Sequence, residues 1–491
     1  MPLPRLFYTP QQVKQGEQLA AKAQGLEMFR LMERAGQAVF TIALAQYPAS
    51  HHWLVCCGSG NNGGDGYIVA RLAQSVGIQV TVWQFGDPEC LRDDARKAYY
   101  HWLDSGGEVF PCSDTIPDHI DVIIDGLLGI GIKGAVRPKL QAVIETINDH
   151  SAPVVAIDVP SGLCALTGCA LGSAIYAQHT VSFVGLKQGL VTGKARDYVG
   201  HLHFAGLGIE EAFNAQNSPT LKAIDVKSPQ RYLQPRARTA HKGLHGKALF
   251  IGGNSGMGGA AILAVQACVR TGSGLNAALV HPGNTTAMLV SCPEVMVASW
   301  SEANLLEQRL AWCSVIAIGP GLGRDEKAQQ LIREVQSINK PKVMDADALF
   351  FLAQSACFDQ QRIITPHPAE AARMLATDVE IIEADRFQAA RALQQKYGGV
   401  VVLKGAGTLV YDGESLYVCL AGNPGMASGG MGDVLTGVIA SLLAQGLSLF
   451  DAAKVGVLIH SQAADQNAHE HGERGLIASD LIPHLRRLVN R

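Results

Sequence analysis

The stretch WLVCCGSGNNGGDGYIVARLAQSV, Trp53 to Val76, reads as an apolar strand, a tight glycine turn and the start of an amphipathic helix. Unpaired N–H groups and the positive end of the helix face such a turn, so it is a ready cradle for an anion. Gly58, Gly60 and Gly63 meet the G-x-G-x-x-G spacing that lets a pyrophosphate approach the backbone of a dinucleotide-binding fold. Taken alone, the same glycines could simply pack helix against strand. A second passage, NPGMASGGMGD from Asn423 to Asp433, also introduces an apolar helix. Two phosphate-handling sites on one chain are therefore expected.

Outward from Trp53, strand-like runs recur at Val80–Phe85, Val122–Asp125, Val154–Asp158, Val181–Val184 and His201–Phe204, behind one opening helical stretch, Thr9 to Gln46. Strands separated by helix-length segments predict a wound parallel sheet covered on both faces, a Rossmann-like α/β/α domain over residues 1–215. Polar, Pro-containing sequence from Glu210 to Arg238 then breaks the pattern. A second alternation, with runs such as Ala248–Gly252, Val315–Gly319 and Val400–Lys404, predicts another α/β domain over residues 225–491.

Composition narrows the function. The 491 residues are 47% hydrophobic and 17% charged, with a formal net charge of −3, so no basic field supports a nucleic-acid or membrane partner. No run is long and apolar enough to span a bilayer and the start lacks a leader pattern, which predicts a cytoplasmic protein. The 11 cysteines include no C-x-x-C pair and read as reduced packing thiols.

Polar residues close the predicted strands where a parallel sheet binds its ligands. Asn62, Asp125 and Ser161 together offer an amide oxygen, a carboxylate and a hydroxyl, the hard set that an alkali or alkaline-earth cation prefers. LMERAG (Leu31–Gly36), GSGNNGGDG, DGLLGIGIKGAVR (Asp125–Arg137) and DVPSG (Asp158–Gly162) resemble the YjeF N-terminal domain, an NAD(P)H-hydrate epimerase. That resemblance implies cofactor-hydrate contacts from Asn61, Asn62, Gly63, Gly64 and Asp65, from Gly129, Ile130, Gly131, Ile132, Lys133, Gly134 and Ala135, and from Asp158. It also implies K+ at Asn62, Asp125 and Ser161. Because epimerising a hydroxyl-bearing carbon needs reversible loss of the hydroxyl or ring opening, Asp158 is the acid–base candidate.

In the second half, VVLKGAGT sets Lys404 at a strand end before two glycines, where an ammonium and free N–H groups can meet a diphosphate. The N–H groups of Gly429 to Gly432 can stabilise a transferring phosphoryl group, and Asp433 can take a proton from the attacking hydroxyl. With GGNSGMGGA, GPGLGR, DADAL and TPHPAE, these motifs resemble the YjeF C-terminal, ribokinase-like domain, an ADP/ATP-dependent NAD(P)H-hydrate dehydratase. The resemblance implies substrate contacts at Ala260, Gly323, His367 and Asp433, and an adenine-nucleotide site at Lys404, Gly405, Ala406, Gly407, Thr408 and Gly432. It also implies Mg2+ with ADP, which is spent to AMP and phosphate on the S epimer. A homo-oligomer is expected. Two other readings are a vitamin-precursor or sugar kinase fused to a dinucleotide-binding module, and a non-catalytic dinucleotide sensor. A dehydrogenase is disfavoured, since Asp87 lies beyond the spacing of an acidic ribose partner.

Overall fold

A computed structural model describes residues 3–132 and 134–490, so Lys133 lies outside the described residues. The chain divides into two compact units, Met1–Lys222 and Ala223–Arg491.

After a short strand, Leu6–Tyr8, the N-terminal unit has two helices, α1 (Pro10–Ala23) and α2 (Met28–Gln46), not the single expected stretch. Gly25 breaks it with φ +64°, a left-handed conformation that interrupts a helix. Seven parallel strands follow: β1 (His52–Cys57), β2 (Gln79–Gln84), β3 (Val109–Pro111), β4 (Val122–Gly126), β5 (Val154–Ile157), β6 (His179–Phe183) and β7 (His201–Ala205). Their order is β3-β2-β1-β4-β5-β6-β7, with helix α3 (Asn61–Ser75) leaving β1. The order reverses between β1 and β4, and such a switch point opens a crevice beyond the carboxyl ends of the strands. Trp53, Val55, Ile124 and Ile157 fill the core on one face, and Leu54, Cys56, Ile123 and Ala156 fill it on the other. Burial on both faces explains why these strands read as continuous apolar runs.

The C-terminal unit is a nine-stranded sheet: β8 (Lys247–Ile251), β9 (Leu275–Val280), β10 (Met296–Ser299), β11 (Val315–Ile318), β12 (Lys342–Met344), β13 (Arg362–Ile364), β14 (Val400–Leu403), β15 (Leu409–Tyr411) and β16 (Leu416–Val418). Its order is β10-β9-β8-β11-β12-β13-β14-β15-β16, parallel through β14 and closed by an antiparallel hairpin. Helices α4 (Gly258–Thr271), α5 (Pro368–Leu375), α6 (Met431–Ala444) and α7 (Leu449–His471) matter for the site. The apolar α6, buried along nearly its whole length, anchors the glycine loop that precedes it. No described helix is long and apolar enough to cross a membrane.

Candidate functional site

Each unit gathers its polar residues at the carboxyl ends of its strands. In the N-terminal unit a cavity of about 530 Å³ opens there, lined by Gly60, Asn61, Asn62, Asp65, Gly129, Ile130, Gly131, Ile132 and Asp158. Gly63, Gly64, Gly134 and Ala135 do not line it. The helix begins at Asn61, so Gly63 sits inside its first turn, where a Cβ would come within 2.0 Å of the Gly58 carbonyl oxygen. Gly63 thus serves the close packing of helix on strand, whereas a Cβ on Gly60 would meet nothing within 4 Å.

Asp158 has φ +62°, an uncommon conformation for a residue with a side chain. It does not cap the DVPSG turn. Its Oδ1 accepts from Ser182 Oγ (3.2 Å), from the Phe183 N–H (3.1 Å) and from Lys187 Nζ in an ion pair. Lys187 is buried and spends its other two donors on Ser182 Oγ (3.3 Å) and the Phe183 carbonyl (3.1 Å). Burial, reinforced by the charges of Asp158 and Glu17, pushes the Asp65 carboxyl well above the carboxylate range.

At the wall of this cavity, which Asn62 and Leu128 line, the Asn62, Asp125 and Ser161 side chains meet around Leu128. Asn62 Nδ2 donates to the Leu128 carbonyl (2.8 Å), the Leu128 N–H donates to Ser161 Oγ (2.8 Å), and Ser161 Oγ donates to Asp125 Oδ1 (2.6 Å). Burial raises the Asp125 carboxyl to about 6 even though Ser161 and Leu127 hydrogen-bond to it. The described residues hold no group of three or more His, Cys, Asp or Glu suited to a metal, so a cation here would rest on mixed oxygens around one carboxylate.

In the C-terminal unit Asp433 occupies the third position of α6, whose N-cap is Gly430 at φ +88°. No side chain caps this helix, so Asp433 is not engaged as a turn former. Burial first, and then the charge of Asp345, raise its carboxyl to about 7 against the pull of Lys404. Lys404 Nζ donates to Asp345 Oδ1 (2.8 Å) and lies 3.6 Å from Glu370 Oε2. Thr436 Oγ1 holds the other Asp345 oxygen at 2.9 Å. Against burial, the Lys404 ammonium holds Asp345 below its ordinary value. A Cβ on Gly432 would lie 3.2 Å from Lys404 Nζ and 3.3 Å from Asp345 Oδ2, which puts the glycine turn directly on this pair.

The remaining loops converge on the same strand ends. Gly323 N–H donates to Asp347 Oδ2 (2.9 Å), and Asp347 is one of the charges that Asp433 feels. A Cβ on Gly321, two residues before Gly323, would meet the Ala260 Cβ at 3.2 Å, which brings the loops of Gly323 and Ala260 together. His367 caps α5: its Nδ1 accepts from the Ala369 and Glu370 N–H groups, which leaves the ring hydrogen on Nε2. Burial lowers its pKa, so it presents a neutral N–H. Gly405 and Ala406 are exposed just beyond β14, and Thr408 Oγ1 closes that turn on the Gly405 carbonyl (2.9 Å). In the glycine loop the buried Oγ of Ser428 has no partner among the described residues, a polar atom of the kind a ligand satisfies.

Sequence reasoning overlooked Lys187, Glu17, Asp345, Thr436 and Glu370 as members of these sites. Asp345 carried a signal, since it opens the DADAL motif at a strand end. Lys187 and Glu17 sit in no motif, and only the fold brings them to Asp158.

Residues 28–189 match the family described as YjeF-related protein N-terminus, and residues 248–487 match the family described as NAD(P)H-hydrate dehydratase. The whole chain is similar to the bifunctional NAD(P)H-hydrate repair enzyme Nnr of Vibrio cholerae, with 62% identity over 100% of this chain and 99% of that protein. It is also similar to the Escherichia coli enzyme of the same name, with 44% identity over 99% of this chain and 95% of the other. Among solved structures, the ADP/ATP-dependent NAD(P)H-hydrate dehydratase of Bacillus subtilis, co-crystallised with ATP and Mg2+, is 28% identical, with a TM-score of 0.50. The match covers 55% of this chain and 98% of that one.

Proposed function

This chain belongs to the family of bifunctional NAD(P)H-hydrate repair enzymes, and from that premise we propose how its residues divide the work between an epimerase in the N-terminal unit and a dehydratase in the C-terminal unit. The 530 Å³ cavity takes the hydrated nicotinamide end of the substrate. The substrate phosphates lie along the N–H groups at the start of α3 and the glycine backbone of the 129–135 loop. Asp158 touches the ring through Oδ2, the oxygen that Lys187 leaves free, as a fixed anion that favours positive charge developing there. Asn62, Asp125 and Ser161 fit K+, because one carboxylate among neutral oxygens matches a monovalent charge. The ion would supply positive charge against the buried Asp125.

In the dehydratase, Ala260, Gly323 and His367 seat the S epimer, while Lys404 to Thr408 and Gly432 seat ADP. Mg2+ supplies charge neutralisation on the nucleotide phosphates and draws most of its ligands from those phosphates and water. Hydroxide leaves a carbon badly and phosphate leaves well. Asp433 takes the proton of the substrate hydroxyl as its oxygen attacks the terminal phosphorus, and AMP departs with the P–O bonding pair. The phosphate then leaves with the C–O pair as the neighbouring carbon loses a proton, which restores the double bond of NADH or NADPH. The observation that carries this reading is Asp433 itself, raised to about 7 and uncommitted to helix capping, one residue from the glycine that abuts Lys404 and Asp345.

Mixed R and S hydrate is incubated with Mg2+ and either ADP or ATP while both epimers and the reduced cofactor are followed. Loss of both epimers with stoichiometric AMP supports the reading. A phosphorylated alcohol with no reduced nicotinamide would point to a kinase instead. Cytoplasmic action as a homo-oligomer belongs to the same proposal, and light scattering gives the assembly.

A further inference from the structure

We infer that Glu17, on helix α1, is the group that moves the proton in the epimerase site, with Asp158 and Lys187 held beside it as a fixed ion pair. This inference rests on the epimerase reading above and names the residue that does its acid–base work. Lys187 Nζ spends three donors on three acceptors, and the Oδ1 of Asp158 takes three hydrogen bonds, so Lys187 has no donor left over and that oxygen is fully engaged. This web of contacts holds the pair in one place and fixes the direction of its field in the cavity.

Glu17 lines the same cavity, and its carboxyl has no hydrogen-bond or ion-pair partner among the described residues. Helix α1 is fixed from its other side, where a Cβ on the neighbouring Gly16 would collide with Phe213 at 2.5 Å. Thr9 and Gln12 form a capping box at its start. The charged and titratable groups around the cavity are Lys14 on α1 itself, Asp65, Asp94, Arg137, Asp158 and Lys187. Burial sets Glu17 at about 7, with Lys187 and Lys14 pulling down and Asp158 pushing up. Burial also pushes the Asp65 carboxyl upward. Glu17 therefore exchanges a proton near neutrality, as an acid–base group must.

Water adds to an enamine with its hydroxyl on the carbon beside nitrogen. The Glu17 carboxyl protonates that hydroxyl, the C–O bond breaks with its pair leaving as water, and the ring nitrogen lone pair fills the carbon. Water returns to the opposite face of the flat cation and releases one proton, which solvent in the open cavity carries back to the Glu17 carboxylate. Asp158 stabilises the cation throughout.

The test follows R/S interconversion in the full-length protein without nucleotide, with hydrate binding measured by calorimetry. Glu17→Gln should lower kcat about 10²-fold or more with Kd for the hydrate moved less than about threefold. It should also abolish the fall in rate as pH rises through about 7. Glu17→Asp should recover part of the rate, with a pH limb displaced from that of the wild-type protein. A Glu17→Gln protein that binds hydrate and interconverts it at the wild-type rate, with the limb in place, overturns the assignment. If Glu17→Gln no longer binds hydrate, a Glu17→Asp protein that binds but shows an unshifted limb overturns it as well. Wild-type protein that fails to interconvert the epimers would instead sink the epimerase reading itself.

Discussion

The two sites solve one electrostatic problem twice and differ in what the solution faces. Each sets a buried lysine–aspartate pair, Lys187–Asp158 or Lys404–Asp345, beside a carboxyl raised to about 7, Glu17 or Asp433. In the N-terminal unit that carboxyl comes from a helix outside the sheet and looks into an open cavity. In the C-terminal unit it rides on the first turn of a helix, next to glycine N–H groups and the positive helix end. A raised carboxyl facing a cavity suits proton exchange on one substrate. The same carboxyl beside an anion cradle suits proton removal while phosphorus arrives.

The largest effect should come from Asp433→Ala. Dehydration with ADP should drop by about 10³-fold or more, within the range lost with a general base, while R/S interconversion persists. Hydrate consumption and AMP release, measured together, check it. A variant that still turns over hydrate stoichiometrically with ADP would break the parallel between the sites by removing the carboxyl from one of them.

Cutting the ion pairs comes next. Lys404→Met leaves Asp345, 2% exposed, as an uncompensated buried charge and should cost about 3–5 kcal/mol. Lys187→Met should cost less, about 1–3 kcal/mol, because Asp158 opens on the cavity and water can reach it. Denaturant unfolding of the full chain gives both values. Equal losses would mean that the two pairs see the same solvent.

The pH profiles should run in opposite senses. Dehydration needs the Asp433 carboxylate, so its rate should fall about tenfold per unit as pH drops below about 7. Interconversion needs the Glu17 carboxyl, so its rate should fall as pH rises above about 7. Initial rates across pH 5–9, with interconversion followed in the absence of ADP and dehydration followed on S hydrate with ADP, separate the limbs. Parallel limbs would assign one of the two carboxyls to the opposite role.

Much of this arrangement was readable in the chain because it is local. Strands buried on both faces, such as Trp53–Cys57 and Val400–Leu403, give continuous apolar runs that need no context. Val109–Pro111 and Met296–Ser299 escaped notice because they are short outer strands, partly exposed, and the first carries a proline that only an edge tolerates. The glycine loops and Asp433 announced themselves since phosphate handling leaves a backbone signature. Lys187 and Glu17 did not. One lies in a two-residue strand, Leu186–Lys187, too short to read from sequence, and the other on an amphipathic helix where a glutamate reads as a solvated face, so their meeting is purely tertiary.

The smallest effect separates glycines that pack from glycines that meet a ligand. Gly60 and Gly430 are matching N-caps, at the start of α3 and α6. Gly60 has φ −103° and ψ −172°, a conformation open to alanine, and a Cβ there meets nothing within 4 Å. Gly60→Ala should therefore keep its stability within about 0.5 kcal/mol. It should raise the hydrate KM of interconversion only a few-fold, by crowding the substrate. Gly430 stands at φ +88°, and a Cβ there would come within 2.7 Å of Leu263 Cδ1. Gly430→Ala should strain the loop, cost about 1 kcal/mol or more, and lower the dehydration kcat as Asp433 shifts. Should Gly60→Ala lose stability while its hydrate KM stays put, the first glycine turn would be a packing device throughout, and the phosphates would have to be held by the Gly129 loop alone.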